Sequence, residues 1–165
     1  TCTSLRKDAT DWPGIYEWGP TALLPIFALL GTEFKSETIL FQDQKQVDIF
    51  AKMEFIFKNA VASASVGDGV KSEGELIISG TKGYAYVPAP WWKTDYFELR
   101  YEDPSENRRY FYQLDGEGIR YELVAFARAV EKGKALPNIS LQTTKAISET
   151  MGQFAKRENC TVIRG

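Results

Sequence analysis

Gly14-Ile15-Tyr16-Glu17-Trp18-Gly19-Pro20-Thr21 runs directly into Ala22-Leu23-Leu24-Pro25-Ile26-Phe27-Ala28-Leu29-Leu30 and stops at Gly31. Almost every residue after Thr21 is apolar. The run leaves no solvent face and predicts a helix buried inside the protein. It is too short to cross a bilayer, which takes about 20 residues. Gly31 is a natural helix stop. Pro20 suits the first helical turn, where a missing N–H costs little, so the helix is expected from about Gly19 to Leu30. Pro25 falls in its interior, where proline removes a hydrogen bond and kinks the axis. The segment ahead of the helix is polar and aromatic. It is expected at the mouth of a cleft, with Glu17 and Thr21 facing a ligand.

Around this run the pattern is mostly strand. Thr1 to Leu5 alternates like a strand already under way, which suggests a chain excised from something longer. Arg6 to Gly14 reads as a polar loop with a Pro-Gly turn. Phe34 to Gln42 is one strand. Val47, Ile49, Ala51, Met53, Phe55 and Phe57 then alternate with polar residues at period two. Phe50 and Ile56 interrupt the polar side, so that face is expected to meet a partner. Ala60 to Val66 is a small-residue strand. Glu75 to Ser79 and Tyr84 to Val87 flank Gly80-Thr81-Lys82-Gly83 as a hairpin, and Tyr96 to Glu102 and Arg108 to Gln113 add two more strands. Ile119, Leu123, Phe126 and Val130 then mark one helical face, stopped by Gly133. Ser140 caps a last helix with Ile147, Met151 and Phe154 inside. The expected fold is α+β: an open-faced, mostly antiparallel sheet of about six to eight strands, helices on one face, in a single domain spanning 1–165.

Composition narrows the chemistry. The chain of 165 residues carries net charge −2 and has no basic patch for nucleic acid or an anionic membrane. It contains no histidine, which excludes His-dependent triads and His-ligated zinc within these residues. Cys2 and Cys160 are far apart and form no CxxC pair. They are expected to be free thiols in a reducing, cytoplasmic setting. No metal site is expected. Gly67-Asp68-Gly69 lies between strands. Gly116-Glu117-Gly118 precedes a helix, but Tyr121 stands where a dinucleotide cradle needs its third glycine. No cofactor site is therefore expected in this chain. Acidic clusters such as Asp8, Asp11 and Glu17 arise freely among 22 acidic residues, so a glycosidase pair is disfavoured. Trp91-Trp92 either stacks on a sugar ring or fills a gap at the sheet edge, the second being the simpler reading. Arg6 and Lys7 either bind an anionic group or lie on a solvated loop.

Three stretches in order give the chain a resemblance to the C-terminal domain of the Gfo/Idh/MocA oxidoreductases, the glucose–fructose oxidoreductase and inositol dehydrogenase family. Glu17-Trp18-Gly19-Pro20-Thr21, running to Leu30-Gly31, resembles the family's D-x-G-x-(H/Y) segment and following helix. Ile78-Ser79-Gly80-Thr81-Lys82-Gly83-Tyr84 with Trp91-Trp92 resembles its I-x-G-T-x-G hairpin and downstream aromatic. Gly118 to Phe126 resembles its Y-E-x-x-x-F helix. The resemblance implies an N-terminal Rossmann domain, absent from this chain, that binds NAD or NADP and carries an active-site lysine. It implies that the C-terminal domain supplies part of the pocket for a sugar, polyol or sugar-nucleotide substrate, and that its open sheet face forms a homo-oligomer.

Two departures matter. Glu17 stands at the family's aspartate position, and Thr21 at its His/Tyr position. Threonine can donate a hydrogen bond, but its pKa is far too high for a general base near neutral pH. The substrate-binding candidates are thus Arg6, Lys7, Glu17, Thr21 and Trp92, with no catalytic residue assigned. The isolated chain is expected to be inactive. The alternative is a non-enzymatic interaction domain that keeps the fold and docks through its sheet.

Overall fold

The computed structural model describes residues 2–4, 14–44, 47–68, 70–116, 118–134 and 139–163. The expected fold class holds. Three α-helices and nine strands are present among these residues, and five of seven strand pairings are antiparallel. The strands fall into two sheets, one of five and one of four. The chain correspondingly divides into two compact units, Thr1–Ser72 with Asn138–Gly165, and Glu73–Pro137.

In the first unit, strands β1 (Cys2–Ser4), β2 (Phe34–Gln44), β3 (Val47–Phe57), β4 (Val61–Asp68) and β9 (Cys160–Ile163) lie in the order β1-β4-β3-β2-β9. β2, β3 and β4 form an antiparallel meander, while β1 and β9 add parallel edges. Helices α1 (Gly14–Leu30) and α3 (Leu141–Lys156) belong to this unit, and α1 packs against α3 and the sheet. The period-two pattern sends Ala51, Met53, Phe55 and Phe57 inward. They share the core with Ile15, Leu23, Ile26 and Phe27 of α1, and Phe27, Phe34 and Phe55 form a mutual ring cluster. Each deeply buried large apolar side chain contributes roughly 1.5–3 kcal/mol relative to exposure. The opposite sheet face is open. Ile56 and Val61 stand exposed on it, in keeping with the expectation that Phe50 and Ile56 break the polar pattern.

Two sequence expectations about α1 are corrected. The helix begins at Gly14, and both Pro20 and Pro25 lie inside it. Nor is it buried all round. Gly14, Ile15, Gly19, Ala22, Leu23, Ile26 and Phe27 form one buried stripe, while Pro20, Ala28, Leu29 and Leu30 are exposed. Packing of that stripe supplies what the prolines remove, which is how tertiary context overrides propensity.

In the second unit, β5 (Leu76–Ser79), β6 (Gly83–Val87), β7 (Tyr96–Tyr101) and β8 (Arg108–Phe111) form a simple antiparallel meander, followed by helix α2 (Ile119–Lys132). The Gly80–Gly83 hairpin is as expected, closed by Gly80 N–H donating to the Gly83 carbonyl at 2.8 Å. Gly83 sits where a Cβ would come within 2.5 Å of the Arg100 carbonyl oxygen, so the neighbouring strand leaves no room for a side chain. The α2 stripe does not behave as an inner face: no residue of α2 is buried.

Candidate functional site

Gly19 fixes how α1 presents its residues. A Cβ there would lie 2.9 Å from Met151 Sδ, so Gly19 faces α3 at a close helix crossing. Residues two before and two after it stand about 160° round the helix. Glu17 and Thr21 therefore share the face turned away from α3, one turn apart, beside exposed Pro20 and half-buried Leu24. Both are half-buried. Glu17 lies in the first turn, where the helix N-terminus favours a carboxylate. The expected helix, from about Gly19, left Glu17 ahead of it and Thr21 in its first turn; both stand within α1. Tyr16 is turned the other way, its ring edge-on to Phe154 at 5.8 Å. Arg6 and Lys7 lie outside the described residues.

Trp92 belongs to the second unit. The Pro88–Pro90 segment, with a cis Ala89–Pro90 bond, turns the chain after β6. Trp91 N–H then donates to the Gly74 carbonyl at 2.8 Å, and Lys93 N–H to the Pro90 carbonyl at 2.8 Å. The Trp91 and Trp92 rings meet edge-on, centroids 6.0 Å apart. Trp92 lines an open pocket of about 580 Å³ with Pro90, Lys93, Asp95, Tyr96 and Gln113. That volume falls in the range of small-molecule sites, roughly 300–1,000 Å³. A flat ring flanked by amide, ammonium and carboxylate groups can hold a ring-shaped polar ligand.

Two polar clusters escaped the sequence reading. On one face of the four-stranded sheet, Glu98 accepts from both Arg100 and Arg109. The Arg100 guanidinium lies 4.5 Å from the Tyr86 ring centroid, and that of Arg109 4.7 Å from Tyr96. Hydrogen bonds from Arg100 and then Arg109 hold the Glu98 carboxyl below the usual range. Alternation of Tyr84, Tyr86, Tyr96, Glu98 and Arg100 along paired strands was the available signal. The second cluster is Glu37, 8% exposed on β2. Thr150 Oγ1 of α3 donates to it at 3.4 Å, and Gln153, with its NH2 turned toward the acid, donates as well. Burial raises the Glu37 pKa against the opposing effect of Thr150. Burial likewise pushes the Cys160 thiol up. Among the described residues no group of acidic, cysteine or histidine side chains is arranged to hold a metal. No helix among them is long and apolar enough to cross a membrane.

Among the described residues, the glycine pair ahead of α2 is a poor fit to a nicotinamide dinucleotide. Gly116 and Gly118 have left-handed backbone angles ahead of α2, but Tyr121 stands inside the first helical turn. The Tyr121 hydroxyl accepts from Asp115 N–H at 3.0 Å, filling the place where a cradle would leave backbone N–H groups for phosphate.

No protein-family profile matches the chain, and no curated protein matches it in sequence. Solved structures do match its fold. KijD10, a 3-ketoreductase from Actinomadura kijaniata determined with NADP and TDP-benzene, aligns with a TM-score of 0.73 at 13% identity, over 99% of this chain and 52% of that one. A biliverdin reductase from Synechocystis, determined with biliverdin and NADP+, aligns at 0.72 and 14% identity, over 97% of this chain and 53% of that one. YvaA of Bacillus subtilis, described as an oxidoreductase, aligns at 0.67 and 14% identity, covering 95% and 55%. These neighbours are a 3-ketoreductase, a biliverdin reductase and a protein described as an oxidoreductase, and the α+β fold of this chain is one they contain. The chain spans about half the length of the solved structures it matches. At such low identity the likeness shows the fold, and the ligands named are those proteins' own.

Proposed function

We propose that residues 1–165 serve as the C-terminal, substrate-facing domain of a NAD(P)-dependent oxidoreductase acting on a sugar, polyol or sugar nucleotide. The observation that carries this reading is coverage: nearly all of this chain aligns with only about half of each NADP-containing neighbour. The nicotinamide cofactor, NAD or NADP, is held by a separate Rossmann domain and supplies the hydride. Residues of this chain bind and orient. Glu17 and Thr21, one turn apart on α1, accept from and donate to adjacent substrate hydroxyls. Thr21 holds a proton in a hydrogen bond but does not remove one, so proton transfer falls to the other domain. Trp92 offers a ring to stack on, and Arg6 and Lys7 hold an anionic substituent. The chain alone is inactive, works in the cytoplasm, and self-associates through its open sheet face.

Titration of NADH and NADPH into the isolated chain tests the division of labour. No change in nicotinamide fluorescence is expected up to millimolar cofactor, whereas a protein carrying the upstream domain binds in the micromolar range. Tight binding by the chain alone overturns the reading. A second reading, an interaction domain that keeps the fold without the chemistry, is favoured by Thr21 at the position where the family has His or Tyr. It predicts that Thr21→His in the longer protein leaves turnover absent.

A further inference from the structure

Glu37 is the one buried carboxyl group among the described residues, and it lies under α3 in the first unit. A charge in such a place is ordinarily paired with an opposite one. Glu37 is not. Its partners are uncharged: Thr150 Oγ1 donates to it at 3.4 Å, and the Gln153 amide faces both carboxyl oxygens. Arg157, at the end of α3, lies over the Phe41 and Phe154 rings, 4.2 and 5.2 Å from their centroids. On one side of Glu37, β3 sets Phe55 opposite it. On the other, β9 brings the Cys160 thiol, which burial keeps protonated and which donates to the Glu158 carbonyl at 3.1 Å. Among the described residues no ammonium or guanidinium is ion-paired to Glu37.

The two side chains from α3 can meet either form of the acid. The Gln153 NH2 donates to a carboxylate; with the amide turned over, its oxygen accepts from the neutral acid. The Thr150 hydroxyl likewise donates to one form and accepts from the other. The contact therefore survives loss of the proton, and what appears beneath α3 is a charge that nothing neutralises. We propose that Glu37 is a proton-operated clasp. With its proton it holds the C-terminal half of α3 and strand β9 on the sheet; without it, this corner opens more often and lays bare the edge of β2. The corner is the part of the first unit best suited to open alone. β9 is four residues long, lies at the sheet edge and pairs with β2 only. Short edge elements open locally at a small fraction of the cost of unfolding the whole. Opening brings water to the carboxyl group, so it becomes easier once that group is charged. The clasp faces α3, not the Glu17 and Thr21 side of α1, and stands whether or not the chain serves an oxidoreductase.

Hydrogen exchange of the purified chain between pH 5 and pH 8, with each amide corrected for its chemical exchange rate, reads the clasp. Protection of α3 from Thr150 onward and of β9 should fall on the order of five-fold as pH rises. Amides of β5 and β6, whose opening does not expose Glu37, should show no such fall. In Glu37→Gln, which cannot take the charge, protection should stay at its low-pH level throughout. Thr150→Val removes a donor that favours the carboxylate, so the fall should move to higher pH. This second variant carries the test by itself if Glu37→Gln does not fold. The same fall in Glu37→Gln as in the parent overturns the proposal, as does a fall left in place by Thr150→Val. Equal protection of β9 and β3 at every pH also overturns it, since β9 would then open only with the whole unit.

Discussion

Glu37 is the residue whose environment most contradicts its chemistry. It shares a sheet face with Ile39 and Phe41 because β2 carries a register shift between Phe34 and Ser36. That shift reverses the phase of the alternation, so an acid that looks solvated from Phe34 onward points under α3. Burial makes the neutral acid the preferred form, and its folded pKa lies above the ordinary glutamate value. The folded state therefore binds this proton more tightly than the unfolded one. The contribution of Glu37 to stability is greatest below the ordinary glutamate range, falls as pH climbs toward the raised folded value, and is level above it. Glu37→Gln keeps the shape and the contacts with Thr150 and Gln153 without the charge. It should stabilise the protein by on the order of 1 kcal/mol near pH 8 and flatten the pH slope. Urea midpoints from pH 4 to pH 8 check this, and parallel curves for the two proteins would refute it. The same scale explains why the binding candidates were only partly legible. Glu17 and Thr21 stood out through their place in a motif, and their i, i+4 spacing kept them together once helical. Glu98 was missed because its two arginines are brought to it by neighbouring and facing strand positions, which a linear reading does not join.

At the scale of elements, the hairpins were readable because turn chemistry is local. Gly80-Thr81-Lys82-Gly83 marks a turn whatever surrounds it. The start of α1 was misplaced because Pro20 is an equally good first-turn residue and a tolerable interior one, and only the packing of Ile15 and Gly19 decides. Strand β9 was missed for a related reason. It follows α3 after a short turn in which Arg157 and Asn159 take left-handed angles, unusual for arginine though favoured by asparagine. A helix ending without glycine gives no warning of a strand. The close approaches give this scale its predictions. Gly83→Ala drives a Cβ into the Arg100 backbone, which cannot rotate away, and should cost about 2 kcal/mol or more. Gly19→Ala meets the flexible end of Met151, and helix propensity gains roughly 1 kcal/mol. It should therefore be near neutral, while Gly19→Leu separates α1 from α3 and costs about 1–3 kcal/mol. Thermal melts of the three variants separate these cases. A Gly83→Ala protein as stable as the parent would show that β6 and β7 are not this close.

Taken whole, the molecule distributes its core unevenly. Every buried apolar side chain among the described residues lies in the first unit, from Ile15 of α1 through Val66 of β4 to Phe154 of α3, and none lies between Glu73 and Pro137. The second unit is instead a four-stranded sheet with exposed apolar or aromatic side chains, among them Ile77, Ile78, Phe97 and Tyr110, and a helix whose stripe is open to solvent. A sheet of that size needs a covered hydrophobic face to be stable by itself. The contrast predicts an uneven distribution of local stability. In hydrogen exchange on the chain at low concentration, amides of β2, β3 and β4 should be the slowest. Those of β5 to β8 should exchange on the order of 100-fold faster, despite full ladders of hydrogen bonds, because opening them exposes little buried apolar surface. Uniform protection across both sheets would show that the second unit has a core of its own, and would remove the physical reason for it to seek a partner.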